Sequence, residues 1–92
     1  MTKEEAESLS LVLLRVVGTL DQTASFVRDK NESASWDRYR QAVGRAMGVV
    51  ALDLAEPLWE RFPELRPEQL GGAYKVHKSI YEPLFYDPDS GA

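Results

Sequence analysis

The sequence predicts an all-α fold, a long antiparallel helical hairpin closed by a shorter third helix into a three-helix bundle. Three observations carry that prediction. Apolar residues recur at three-and-four spacing through two long stretches. Polar or proline-rich punctuation falls at 29–35 and again at 62–67. No stretch shows the strict alternation of a half-buried strand, and there is no internal repeat.

The first helix is expected from Thr2 to Arg28. Thr2-Lys3-Glu4-Glu5 fits the capping box, in which the threonine side chain accepts from an amide three residues on and the glutamate reaches back. Leu9, Val12, Leu13, Val16, Val17, Leu20, Ala24 and Val27 then trace one face. Leu11, Leu14 and Gly18 fall on roughly the opposite side at 3.6 residues per turn. The first helix is therefore apolar on two sides over its first half.

Asp29 to Ser35 is polar and rich in side chains that compete with the helical backbone, so it reads as the connection. Ser33 or Ser35 is the expected N-cap of the second helix, with Asp37 set favourably against the dipole of the first turn. Trp36, Tyr39, Val43, Met47, Val50, Leu54 and Leu58 share one face, suited to packing on the first helix. Beside it runs a strip of small residues, Gly44, Gly48, Ala51 and Ala55, and beyond that lie Leu52 and Trp59. Two internal glycines cost about 1 kcal/mol each relative to alanine, and an interior proline about 3 kcal/mol or more. The strip therefore implies a close helix contact that offsets this cost, and Pro57 implies a kink or break between Asp53 and Pro57.

Phe62 and Arg66 are each followed by proline, which disfavours the helical conformation and ends the second helix. Pro67 then opens a third helix reaching about Tyr81, which Gly71 and Gly72 bend or interrupt in its first turns. Pro83 closes it. Leu84, Phe85 and Tyr86 are expected to pack back on the bundle, and 87–92 to form a flexible tail after a single domain over 1–86.

Composition narrows function by exclusion. The 92 residues suffice for one domain. No apolar run approaches the roughly 20 residues that cross a bilayer, and Lys3, Glu4 and Glu5 do not resemble a signal peptide, so a cytoplasmic setting is expected. The absence of cysteine excludes disulfides, thiolate metal sites and cysteine nucleophiles. A net charge of -4 argues against nucleic acid as a partner.

Candidate chemistry is sparse. Asp53, Glu56 and Glu60 project from one side of the second helix, where carboxylates can hold a hard cation, yet a solvated face is the ordinary meaning of that pattern. The Glu-x-x-His motif of carboxylate-bridged metal bundles is missing, so neither metal nor cofactor is expected. His77, the one histidine, lies between Tyr74 and Tyr81 on successive turns of the expected third helix, and with Trp59 these residues outline a candidate small-ligand pocket or minor active site. A hydrogen-bonded histidine on a helix face is the plainer account, since a catalytic site needs several convergent groups.

The doubled apolar surface is the most informative feature. Leu11, Leu14 and Gly18 on the first helix, with Gly48, Leu52 and Trp59 on the second, form more surface than one third helix covers. Contiguous exposed apolar patches mark interfaces. The expected reading is a non-catalytic protein–protein interaction module of regulatory, adaptor or immunity type, forming a homodimer through these residues, with another protein as a further candidate partner and no role for a membrane.

Overall fold

A computed structural model describes residues 1–30 and 33–89. All regular structure among them is helical: α1 (Lys3–Asp29), α2 (Ser33–Gly48), a π-helical segment (Val49–Ala55), α3 (Glu56–Arg61) and three short 3-10 turns, Pro63–Leu65, Glu68–Leu70 and Lys78–Tyr81. Asn31, Glu32, the cap expected at the Ser33 side chain, and 90–92 lie outside the described residues. Ser35 sits within α2.

The start of α1 follows its sequence signal. The Thr2 amide donates to Glu5 Oε1 at 2.6 Å and the Glu5 amide donates to Thr2 Oγ1 at 3.1 Å, closing the capping box. α1 is 27 residues long, about 40 Å at 1.5 Å per residue. It sets the 44 Å long axis of the molecule. The second limb returns antiparallel, since Trp59 near its end donates its indole N–H to Ser10 near the start of α1, at 2.9 Å.

The irregularity expected near Pro57 is a change of helical pitch, and the chain stays helical through Arg61. The Glu56 amide donates to the Ala51 carbonyl, a bond across five residues that widens the turn ahead of the proline. In an ordinary α-helix the Pro57 ring would press on the Asp53 carbonyl, and the wider turn relieves that contact. The widening also rotates everything beyond it. A five-residue bond turns the chain roughly 18° less per residue than an α-helix, about 120° over the segment. Leu54, expected on the core face, is accordingly exposed, while Ala55 and Trp59 swing inward and are buried.

The core gathers at the open end of the hairpin. Ala6, Ala55, Leu58, Trp59 and Leu65 are buried together, with Leu13, Leu14, Phe62 and Tyr74 packed against them. The proline-flanked turn Pro63–Leu65 folds Leu65 under this cluster, and Pro67 is fully buried beside it. Of the small strip, Ala55 packs here, but a Cβ added at Gly44 or Gly48 would meet nothing within 4 Å. The close helix contact expected of those two glycines is therefore not made among the described residues.

The third helix is replaced by a loop and a strap. Gly71 adopts φ of 87°, the left-handed region open to glycine, and ends the turn Glu68–Leu70. Gly72 lies so close to the Arg66 carbonyl that a Cβ would sit 2.0 Å from its oxygen. The Tyr74 amide donates to Arg66 O and the Glu68 amide to Tyr74 O, both at 3.0 Å, which seals the loop and turns the chain along α1. From there 73–86 climbs α1 in parallel. Tyr74 bonds Glu7, the Ile80 carbonyl accepts from Arg15 Nε, the Phe85 amide donates to Gln22, and the Tyr86 hydroxyl donates to Asp29.

Length explains why this segment is not a helix. Glu7 to Asp29 rises about 33 Å along α1, while Tyr74 to Tyr86 as an α-helix would rise only about 18 Å. Extended, the same residues reach up to about 40 Å and span the whole face. As expected, Phe85 and Tyr86 pack back, each ring edge-on to Phe26 with centroids 5.3 and 5.4 Å away.

Candidate functional site

The strap covers one of the two apolar sides of α1. The Tyr81 ring turns its Cδ1–Cε1 edge to Gly18, so that a Cβ there would come within 2.7 Å of Tyr81 Cδ1. Leu11 and Leu14 on the same side are half-buried, Leu14 against the core. Trp59 is only 2% exposed, covered by its own chain. Beyond its bond to Ser10, the Arg66 guanidinium stands over its ring at 5.6 Å. Of the six residues read as a common surface, Leu52 stands out at 67% exposure, Gly48 is half-buried with open space at its Cβ position, and the other four face their own chain to differing degrees.

The exposed apolar surface lies elsewhere on the same hairpin. Leu9, Val12 and Val16, expected in the core, are exposed and share one face of α1 by their three-and-four spacing. Val49, Leu52 and Leu54 are exposed on the π segment, which packs against α1. The π turn and the strap together account for this exchange. One rotates Leu54 out and Trp59 in; the other covers the side of α1 opposite Val12.

The residues outlined as a ligand pocket are separated. Trp59 is in the core, and the Tyr74 hydroxyl donates to Glu7 Oε2 at 2.7 Å beside a shallow polar recess that also involves Lys3, Glu64 and Leu65. That hydrogen bond, then burial and the carboxylate's charge, hold the Tyr74 hydroxyl above its ordinary 10.0. His77 is exposed and caps the turn Lys78–Tyr81, its Nδ1 accepting from the Ser79 amide at 3.1 Å. Tyr81 alone of the four lines a sizeable groove.

The carboxylates on the second limb also diverge. Glu56 accepts both terminal nitrogens of Arg66, and that bond holds its carboxyl below the usual range and the guanidinium above its own. Asp53 and Glu60 are exposed. Among the described residues no group of three or more His, Asp or Glu side chains is arranged to hold a metal ion.

The groove at Tyr81 was not legible in the sequence. It has a volume of about 500 Å³ and lies between α1, the end of α2 and the strap, with Leu14, Val17, Met47, Tyr81 and Leu84 among its walls. Asp21, Lys78 and Glu82 stand at its edge. Its strap wall derives from residues that read as helix, so no spacing rule brings Leu84 to Val17.

By length and composition α1 alone among the described residues would be able to cross a membrane, since Arg15 and Asp21 are the only charged residues between Leu9 and Val27. In this fold it is flanked instead by the second limb and by the strap. Comparisons with protein-family models, with curated proteins and with solved structures give no match.

Proposed function

We propose that this protein is a non-catalytic helical interaction module, of regulatory, adaptor or immunity type, that associates with itself as a homodimer through the exposed apolar face of the hairpin. The observation that carries the reading is Leu52, 67% exposed on a segment whose neighbours Val49 and Leu54 are also exposed, beside a limb that exposes Leu9, Val12 and Val16. Six large apolar side chains on adjoining elements exceed the scattered singles of an ordinary surface. A two-fold arrangement buries the same patch on both subunits, and stable interfaces of this kind bury about 800 Å² per partner.

The open space at Gly44 and Gly48 supports close approach of a second helix on this limb. The cytoplasm is the setting we assign, with a second copy of the chain as the partner and another protein as a further candidate.

Sedimentation at micromolar concentration tests the reading. Leu52→Glu should convert a dimer to a monomer while leaving the circular dichroism unchanged. A wild-type chain that sediments as a 10.4 kDa monomer overturns self-association.

A further inference from the structure

We infer that the groove between α1, Met47 and the strap is a binding site for a small amphiphile, a single alkyl chain ending in a basic amine. The inference is independent of the dimer face, since the groove lies on the strap side of α1 and Leu52 does not line it.

Three features converge. The volume of about 500 Å³ falls within the range of small-molecule sites, roughly 300–1,000 Å³. An α-helix about 10–12 Å across would fill roughly that volume in a single turn, so the space suits one chain better than a docked helix. Its walls are apolar on three sides: Leu14 and Val17 from α1, Met47 from α2, and Tyr81 with Leu84 from the strap. Met47 in particular is unbranched and adaptable, a side chain that conforms to an alkyl ligand.

Charge chooses the head group. Asp21 and Glu82 stand at the edge with Lys78, and no ion pair joins any of the three to a described residue. Two carboxylates against one ammonium on the groove's lining favour a cation even with the weak Coulombic pull of Arg28 on Asp21, and the net charge of -4 adds to the preference. The close seating of Tyr81 on Gly18 fixes the strap wall, so the groove exists before a ligand arrives. A preformed site avoids the cost of ordering its walls on binding.

Isothermal titration calorimetry of the full chain with octylamine, decylamine, decanol and decanoate, all below their micellar concentrations, tests the proposal. The expected result is one amine per chain, an affinity rising about fourfold per added methylene from octylamine to decylamine, and decylamine binding at least tenfold tighter than decanoate. Methyl resonances of Met47 should shift on titration. Asp21→Asn combined with Glu82→Gln should bring decylamine and decanoate within about threefold of one another while decanol is unaffected. Should that double variant lose its helical circular dichroism, the wild-type preference for amine must still shrink as salt rises from 20 to 500 mM, because exposed charges are screened. Absence of saturable amine binding overturns the proposal. So does a decanoate affinity equal to the amine's, an amine preference that survives both charge removal and salt, or a shift confined to the Leu52 face.

Discussion

The bond from Trp59 to Ser10 ties the end of the second limb to the start of α1, and Ser10→Ala isolates it. Ser10 and Trp59 are each 2% exposed, and the indole N–H donates to the Ser10 hydroxyl at 2.9 Å. Among the described residues no buried side-chain nitrogen or oxygen lacks a partner. Removing the hydroxyl leaves the indole donor buried and unsatisfied, which costs about 1–3 kcal/mol. Alanine regains about 0.5 kcal/mol through its better helix propensity. The net expectation is a loss of about 0.5–2.5 kcal/mol, and at about 4–8 °C per kcal/mol for a domain of this size the melting temperature should fall measurably. Urea unfolding followed by far-UV circular dichroism, a signal that every variant keeps, gives the number. A double-mutant cycle with Trp59→Phe then separates the bond from packing, because Ser10→Ala should cost less than half as much once the donor is gone. Full additivity of the two substitutions, or a Ser10→Ala variant as stable as the parent, would refute the reasoning.

Glycine-to-alanine substitutions at two helix-interior sites should differ in sign. Gly44→Ala fills open space and gains helix propensity, so it should stabilise a monomer by about 0.5–1 kcal/mol in chemical denaturation. Gly18→Ala gains the same propensity but drives its Cβ to 2.7 Å from Tyr81. Overpacking costs about 1–3 kcal/mol, so the net effect should run from nil to about 2 kcal/mol of loss, with displaced Tyr81 ring resonances. The end of the strap should hold between two pH limits. The Arg28 bond and then the Tyr86 bond depress the Asp29 carboxyl, so its contribution is full above the unfolded value near 3.9 and disappears as pH falls through the lower folded value. The bond to Asp29 raises the Tyr86 hydroxyl, so its contribution is full below about 10 and is lost as pH rises through the higher folded value. Protection of the Phe85 and Tyr86 amides against hydrogen exchange, taken relative to the intrinsic rate at each pH, should fall outside that window, and Tyr86→Phe should remove the alkaline fall.

Local signals in this chain were legible wherever the deciding atoms are near in sequence. Thr2 and Glu5 cap α1 within one turn, the apolar period from Leu9 to Val27 makes a helix, and Phe62-Pro63 stops one. The all-α class and the hairpin follow from these. Pro57 announced an irregularity but not its kind. A proline can be met by a kink, a break or a wider turn, and only the surrounding packing selects among them.

What the tertiary structure decided follows from two choices with long reach. The π turn before Pro57 changes the phase of the second limb, and so determines that Trp59 reaches Ser10 while Leu54 and Leu52 face outward. The strap is extended on either side of the turn Lys78–Tyr81 because it must span α1 from Glu7 to Asp29, a distance no helix of its length can cover. Helical periodicity in 67–81 is a statement about side-chain spacing, and it cannot weigh the bonds that Arg15, Gln22 and Asp29 offer to an extended backbone. Those contacts join residues more than fifty positions apart, which is why the core, the groove and the exposed face came from the fold and not from the sequence pattern.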